Sequence, residues 1–216
     1  MFNEIFVNGC YSFMKTKTKN PFIIDCGANI GMSILWFKMA YPKAKILAFE
    51  PSSAFKYLKK NIEHLKKIKI RKEALGMREE KSFIYEEKGK EGSLLTSKST
   101  ERLVDFKGKL SKQVKAKFVK LSKFIDEKHP VDLLKMDIEG GEYEVINDLW
   151  SAEKLKHIDN MIIEFHNDSE NPGELTTMLS KLQSYTAKFK VWFAAEKKTG
   201  KKMQDILLYC RRIKHV

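Results

Sequence analysis

The chain alternates short apolar runs with longer stretches in which apolar positions recur at helical spacing. In the first half, the runs Phe22–Cys26, Lys45–Glu50 and Ile68–Ala74 have the length of buried strands. Between them, Ile30–Ala40 and Ser52–Leu65 repeat apolar residues every three or four positions, which is typical of amphipathic helices. This half of the chain therefore predicts two consecutive β-α-β units.

The second half of the chain repeats this alternation and then ends differently. The predicted elements are, in chain order, the strand Asp132–Ile138, the helix Glu142–Leu149, the strand Asn160–His166, the helix Glu174–Ser184 and the strands Phe189–Ala195 and Asp205–Arg211. A polar turn around Gly200 joins the last two strands and indicates a hairpin. The pattern predicts a doubly wound α/β fold with a mostly parallel, seven-stranded sheet and an antiparallel strand from the C-terminal hairpin.

Length and composition restrict the class of protein. The 216 residues suit one domain, 1–216, with a short N-terminal segment, 1–20, before the first strand. A hydrophobic content of 43% excludes a disordered chain, and the longest apolar runs are far shorter than the roughly 20 residues of a membrane span. The N-terminus has no basic region or cleavage site of a signal peptide, and three cysteines without paired spacing indicate a reducing, cytoplasmic compartment.

The net charge is unusual for a protein of this size. The sequence has 41 Lys and Arg residues against 28 Asp and Glu, which gives +13. Such a surplus attracts anionic partners of several kinds, including nucleic acids, phosphorylated metabolites and anionic lipids. In Lys56–Lys72 the lysines lie between apolar residues at helical spacing, as on the solvated side of a core-facing helix. We therefore expect the charge to serve mainly solubility, without specific nucleic-acid binding.

The first candidate site follows the first predicted strand, because ligands of parallel α/β sheets bind outside the carboxyl ends of the strands. The segment Asp25–Gly31 contains Gly27 and Gly31, which let the backbone approach a ligand beside the exposed amides of a helix start. Its spacing, G-x-N-x-G, differs from the G-x-G-x-x-G of dinucleotide-binding loops. The carboxylate of Asp25 would repel a pyrophosphate and suits a ligand that carries an ammonium group. The alternative is a structural turn in which Asp25 caps the helix.

The second candidate is Glu50, which ends the next strand. It lies 25 positions after Asp25, close to the interval of about 20 residues at which an acid binds ribose hydroxyls in nucleotide-binding units. An acid at a strand end is also common as a helix cap. Together with the first loop, however, Glu50 indicates a nucleoside that carries a zwitterionic tail.

Three motifs resemble those of the FkbM-type S-adenosylmethionine-dependent methyltransferases. The family patterns D-x-GAN-x-G, F-E-P and K-x-D-x-E-G-x-E correspond to Asp25–Gly31, Phe49–Pro51 and Lys135–Glu142. The resemblance extends from about Glu4 to Phe165, and its most specific part is the third motif. One departure is Gly141, which stands where the family often has alanine.

The resemblance implies a class I methyltransferase (Rossmann-like) fold, S-adenosyl-L-methionine as cofactor and methyl transfer to a hydroxyl of a sugar or polyketide-like product. The implied cofactor contacts are Asp25, Gly27, Ala28, Asn29 and Gly31 around the methionine portion, Glu50 at the ribose, Ala74 and Leu75 near the adenine, and Asp137 on the methyl-transfer side. The charged region 76–118 interrupts the alternation of strands and helices. We expect this region to recognise the acceptor.

A hydroxyl acceptor needs a general base within hydrogen-bond reach. The candidate bases are Asp137, Glu139, Glu142 and His166. We predict Asp137, Glu139 and His166 as catalytic residues, with His166 as the base because an imidazole titrates near neutral pH. The alternatives are a hydrogen-bonded strand-end histidine, and acids that complement a helix N-terminus.

Two alternatives concern a metal ion and the function itself. Asp137, Glu139, Glu164 and His166 could bind a divalent ion, but no ligand spacing in the sequence demands one, and we predict no metal. The predicted acceptor is a small molecule or sugar, anionic ones included. The alternative functions are a nucleic-acid methyltransferase that uses the basic surface and a cofactor-binding module without activity. The sequence has no amino-nucleobase motif, and its intact cofactor motifs disfavour the second alternative.

Overall fold

The computed structural model describes residues 2–12, 15–87, 96–97, 111–168, 173–185, 188–191 and 203–212. The strands are β1 (Phe22–Cys26), β2 (Lys45–Phe49), β3 (Ile68–Arg71), β4 (Ala74–Leu75), β5 (Glu80–Glu87), β6 (Thr96–Ser97), β7 (Ser111–Val119), β8 (Leu133–Met136), β9 (Asn160–Asp168), β10 (Lys188–Val191) and β11 (Met203–Arg211). The α-helices are α1 (Met32–Ala40), α2 (Phe55–Ile62), α3 (Glu142–Ser151) and α4 (Gly173–Tyr185). Short helical turns lie at Asn3–Val7, Leu121–Phe124 and Leu155–His157. Over these residues, the helices are too short or too polar to cross a membrane.

The main sheet has seven strands in the order β10-β11-β9-β8-β1-β2-β3. The strands from β9 to β3 are parallel, whereas β11 is antiparallel to both β9 and β10. The mostly parallel sheet and its antiparallel C-terminal hairpin are therefore confirmed. In register, Cys26 of β1 is opposite Phe49 of β2 and Met136 of β8. The loops that follow these three strands consequently emerge side by side at one edge of the sheet.

Side chains alternate between the two faces of this sheet. Ile23 of β1 lies on the face covered by α1 and α2, in a cluster with Ile34 and Leu58. The next residue, Ile24, lies on the opposite face, in a cluster with Val145 of α3 and Met178 of α4. Helices thus cover both faces, and the predicted doubly wound α/β fold is confirmed.

A second, smaller sheet contains β4, β7, β5 and β6 in that order. It differs from the prediction, since the strand expected over Ile68–Ala74 ends at Arg71 and the region 76–118 contains most of this sheet. In β5, Ile84 is buried whereas its neighbour Phe83 is exposed, so this sheet has one buried and one solvated side. Charged residues on the solvated side interrupt the apolar run by which a buried strand is recognised in a sequence. The segments 88–95 and 98–110, and the turn predicted around Gly200, lie outside the described residues.

The N-terminal segment packs beside the carboxyl edge of the main sheet. Tyr11 stacks on Phe37 of α1 with ring centroids 5.5 Å apart, and the Tyr209 hydroxyl of β11 donates to the Cys10 carbonyl at 2.6 Å. Burial raises the pKa of the Tyr11 hydroxyl well above its usual range, while the positive charge of Lys135 in β8 opposes this rise. Tyr11 belongs to the same buried cluster as Leu133 of β8, so the segment packs against that strand.

A close approach of two loops sets the shape of this edge. Gly27 adopts a positive φ of 81°, and an added Cβ would lie 1.8 Å from the carbonyl oxygen of Asp137. A side chain at position 27 is therefore excluded by both backbone conformation and space. The loops after β1 and β8 are in contact only because residue 27 is glycine.

Gly27→Ala is expected to lower the free energy of unfolding by more than about 1 kcal/mol. Backbone strain at this φ alone costs about 1–3 kcal/mol, and the added methyl group would also displace the Asp137 backbone. Chemical denaturation measures the change. Gly173→Ala is the matched control, since an added Cβ at Gly173 meets nothing within 4 Å, and its effect should be below about 0.5 kcal/mol. Equal losses for the two variants would contradict the role assigned to the loop contact.

Candidate active site

The loop Gly27–Gly31 is held by hydrogen bonds from its own amides. The Gly27 and Ala28 amides both donate to the Phe49 carbonyl at 3.0 Å, and the Asn29 amide donates to Glu50 Oε2 at 2.7 Å. The Ile30 amide donates to Asn29 Oδ1 at 2.7 Å, and the Gly31 amide donates to the Ala28 carbonyl at 2.8 Å. These five loop amides therefore all have acceptors within the protein, whereas the exposed amides expected from the sequence are those at the start of the following helix. The loop is a preformed turn that its amides join to the end of β2.

Glu50 is the acceptor that joins this loop to the next one. Its Oε2 accepts from the Asn29 amide at 2.7 Å, and its Oε1 accepts from the Ser52 amide at 2.9 Å. Burial raises the pKa of Glu50, although hydrogen bonds from the Ser52 side chain and from the Ser52 and Asn29 amides favour the ionised form. A carboxylate offers about four acceptor positions, and these bonds use three of them.

Asp25 and Lys135 form a buried ion pair behind the loop. Lys135 Nζ lies 3.3 Å from Asp25 Oδ1 and 3.8 Å from Asp137 Oδ2, and it donates to the Gly27 carbonyl at 2.6 Å. Burial alone would lower the pKa of Lys135, but the charges of Asp25 and Asp137 raise it well above its usual range. The ammonium therefore stays charged within the protein.

Asp25 makes a second buried contact. Its side chain is fully buried, and Oδ2 accepts from the Ser33 hydroxyl at 2.5 Å, whereas Oδ1 faces Lys135. Contact between Asp25 and a ligand ammonium stays a prediction.

From the sequence, Lys135 has no expected role beyond its place in a motif. The available signal was a lysine within the apolar run Leu133–Met136, since charged residues are almost never fully buried without a partner. Its partner, however, lies in another strand. Only the neighbouring positions of β1 and β8 in the sheet show that this partner is Asp25.

The three residues predicted to be catalytic come together at the ends of β8 and β9. His166 Nε2 lies 3.5 Å from Glu139 Oε2 and 3.9 Å from Asp137 Oδ1, and one donor atom from each residue lies within 4.8 Å of the others. The imidazole is buried with 1% of its surface exposed, whereas the two carboxylates are partly exposed. Glu164 Oε1, also partly exposed, is 3.8 Å from the same ring nitrogen.

Glu142, the fourth candidate base, has a positioning role. Its Oε1 lies 2.9 Å from His166 Nδ1 and accepts from the Ile138 amide at 3.0 Å, and both of its oxygens accept from the Gly140 amide. The side chain is 1% exposed, so Glu142 is far from solvent. It holds the loop after β8 and directs Nε2, the other ring nitrogen of His166, towards Asp137 and Glu139.

Ala74 and Leu75 form strand β4 of the second sheet. Both are buried in β4, Ala74 against Phe118 of the second sheet and Leu75 in the main core. The Leu75 carbonyl lies 3.8 Å from the position of a Cβ on Gly141. A Cβ at position 141 would be in ordinary van der Waals contact with this carbonyl, and its tightest neighbour would be Ile138 Cδ1 at 3.0 Å.

Comparisons with known proteins agree on one class. A family model described as the methyltransferase FkbM domain matches residues 25–189. Methyltransferase 1 from Beauveria bassiana is 31% identical over 198 residues, which cover 84% of this chain and 77% of that protein. The structure of an FkbM methyltransferase from Methylobacillus flagellatus aligns over 92% of the chain with a TM-score of 0.61 and 15% identity. TYW2 from P. horikoshii, solved in complex with MeSAdo, aligns over 98% with a TM-score of 0.51 and 16% identity.

The two solved structures show that the fold is that of a class I methyltransferase. The chain spans 45% and 64% of the lengths of those two proteins. The family match and the curated relative show more than the fold: the chain belongs to the FkbM methyltransferase family. The resemblance noted in Asp25–Gly31, Phe49–Pro51 and Lys135–Glu142 is thereby confirmed, and the protein is a methyltransferase.

Lys135→Met is expected to lower the free energy of unfolding by about 3–5 kcal/mol at neutral pH, because it leaves Asp25 buried without its counter-charge. The pKa of Lys135 is raised in the folded protein, so its contribution is complete below the ordinary lysine pKa of about 10.4 and is lost as the pH rises above it. The difference between wild type and variant, measured by denaturation, should therefore shrink only above about pH 10.4.

Two further variants control this experiment. Asp25→Asn combined with Lys135→Met should recover part of the loss, since both charges are then removed. Lys156→Met removes a solvent-exposed ion pair with Glu153 and should have no measurable effect. A wild-type stability for Lys135→Met alone would refute the buried pair.

Proposed function

We propose that this protein is an S-adenosylmethionine-dependent methyltransferase that methylates a hydroxyl of a small-molecule or carbohydrate-like acceptor. The observation that carries the proposal is that the loop Gly27–Gly31 contacts two parts of the site. One part is Glu50, an acid suited to binding ribose hydroxyls, and the other is the cluster around Asp137, which is suited to binding an acceptor. The Asn29 amide of the loop donates to Glu50, and Gly27 lies against Asp137. A ligand on this loop therefore has Glu50 on one side and the cluster on the other.

The cofactor side comprises the ends of β1, β2 and β4. The proposed contacts are Gly27, Ala28, Asn29 and Gly31 around the methionine portion with Asp25 behind them, Glu50 at the ribose hydroxyls, Ala74 and Leu75 near the adenine, and Asp137 beside the methyl group. The two bonds from backbone amides hold Glu50 in one orientation, and its remaining lone pair can accept from ribose. The MeSAdo found with TYW2, an analogue of S-adenosylmethionine, supports a ligand of this class on this fold.

The acceptor side comprises Asp137, Glu139 and His166. In the reaction, the bond between the sulfonium and its methyl group breaks, a bond from the methyl group to the acceptor oxygen forms, and the hydroxyl proton leaves. The sulfonium activates the methyl group by itself, so the protein must align the acceptor and promote proton loss. The partial exposure of Asp137 and Glu139 gives an acceptor access to the buried imidazole. We assign acceptor recognition to region 76–118 of the same single domain.

The charge of the cluster favours a neutral or cationic acceptor over an anionic one. Four carboxylates, those of Asp137, Glu139, Glu142 and Glu164, lie within 3.9 Å of His166. Phosphates would be repelled there, which also disfavours the alternative of a nucleic-acid methyltransferase despite the net charge of +13. Duplex DNA or structured RNA should then bind only non-specifically, with a steep loss of affinity as salt rises.

Glu50→Gln is expected to weaken the binding of S-adenosylhomocysteine by about 1–3 kcal/mol, because the charge-assisted hydrogen bonds to ribose are lost. Isothermal titration calorimetry of the full chain measures the affinity. Glu63→Gln is the matched control, since Glu63 is exposed just after α2, and it should bind like the wild type. Saturable binding of NAD without any response to S-adenosylhomocysteine would rule out the proposed cofactor.

His166→Ala is expected to lower kcat by about 10²–10⁴-fold and to leave the affinity for S-adenosylhomocysteine nearly unchanged, because the imidazole belongs to the acceptor side. Transfer of a labelled methyl group from S-adenosylmethionine to a panel of glycosides and polyketide alcohols gives the rate. Near-wild-type turnover by this variant would mean that solvent takes the proton and that the cluster is not catalytic.

A further inference from the structure

We infer that Asp137, Glu139 and His166 bind a divalent metal ion at the acceptor side of the site. The inference rests on the proposed function, because it assigns the ion to the acceptor that this function requires. It also revises the prediction of no metal made from the sequence. That prediction relied on spacing along the chain, whereas the three donors come from the loop after β8 and from strand β9, which only the sheet brings together.

The geometry of the three donor atoms suits a common ion. Donors bound to one ion at about 2.1 Å lie about 3.0–3.4 Å apart in octahedral or tetrahedral coordination. The imidazole Nε2 is 3.5 Å from Glu139 Oε2 and 3.9 Å from Asp137 Oδ1, and all three atoms lie within 4.8 Å of one another. Small rotations of the two carboxylates would bring them to bonding distance of one ion. Asp137 is 26% exposed, which leaves room on its side of the cluster for water or an acceptor oxygen as further ligands.

The surroundings fix these donors as a metal site requires. Metal-ligating histidines commonly donate their second ring N–H to a carboxylate, which sets the tautomer and the ring orientation. Glu142 holds His166 Nδ1 in this way at 2.9 Å, and both side chains are only 1% exposed. Glu139 adopts a left-handed backbone with a φ of 60°, followed by Gly140 at 104°. A non-glycine residue in this conformation is strained, and here the strain brings the Glu139 carboxylate to the imidazole.

The negative charge of the cluster also favours a divalent ion at this position. Four carboxylates surround one imidazole, and Lys135 Nζ lies 3.8 Å from Asp137 Oδ2 and 3.3 Å from Asp25 Oδ1. A divalent ion supplies two positive charges at the point where the carboxylate oxygens converge.

The donor set also indicates the kind of ion and its effect. Two carboxylates with one imidazole suit a first-row ion such as Mn²⁺ better than Mg²⁺, which prefers oxygen donors and retained waters. A hydroxyl bound to such an ion ionises more readily. The acceptor O–H bond then breaks with loss of the proton to water, and the alkoxide oxygen takes the methyl group. In this arrangement Nε2 of His166 is a ligand rather than the proton acceptor.

Mn²⁺ binding to the chelator-treated full chain tests the inference. Electron paramagnetic resonance should show one saturable site in the wild type, and Glu139→Gln should weaken it by at least tenfold. Glu142→Gln should weaken it about 10–100-fold by releasing the imidazole. Glu153→Gln, which changes an exposed carboxylate of a surface ion pair, is the matched control and should bind like the wild type. S-adenosylhomocysteine binding by each variant confirms that it is folded.

The outcomes separate this inference from the proposed function. Wild-type binding of S-adenosylhomocysteine without saturable Mn²⁺ binding would overturn the metal site and leave His166 as the proton acceptor. Equal Mn²⁺ affinity in wild type and Glu139→Gln would place the ion elsewhere and also overturn it. Mn²⁺ binding that depends on Glu139, in a protein that does not bind S-adenosylhomocysteine, would support the metal site and refute the proposed cofactor.

Discussion

The buried ammonium of Lys135 fixes the edge of the sheet on which the site depends. It lies between the carboxylates of Asp25 and Asp137 and donates to the carbonyl of Gly27, so that one charge links the ends of β1 and β8. An uncompensated charge at this depth would cost several kcal/mol. The two strand ends therefore cannot separate without leaving a buried ion unpaired, and the loops that follow them keep a constant relation.

This constraint divides the carboxyl edge of the sheet into two neighbouring halves. On the side of β2, the Asn29 amide holds Glu50 in one orientation. On the side of β9, Glu142 holds the imidazole of His166 and the loop before α3. The Gly27 backbone lies between the halves, in contact with the Asp137 carbonyl. A cofactor on one half and an acceptor on the other would thus meet at Asp137, as methyl transfer in line requires.

The sequence predicted the parts of this arrangement that depend on local pattern. Apolar periodicity predicted the main sheet and both helical layers, and the strand ends located Glu50, Asp137, Glu139 and His166. It did not predict the pairing of Asp25 with Lys135 or the role of Glu142, because these contacts join residues 110 and 24 positions apart. The second sheet was missed because its strands alternate charged residues with few buried apolar ones. Contacts of this kind follow from strand order rather than from periodicity.

A crystal structure of the full chain with S-adenosylhomocysteine bound tests the division of the site most directly. The ribose hydroxyls should lie within hydrogen-bond distance of the Glu50 carboxylate, and the sulfur should face Asp137 and the side chains of Glu139 and His166. The Gly27–Gly31 loop should keep its internal hydrogen bonds, because it is preformed. A ribose away from Glu50, or a sulfur directed away from His166, would contradict a cofactor and an acceptor meeting at Asp137.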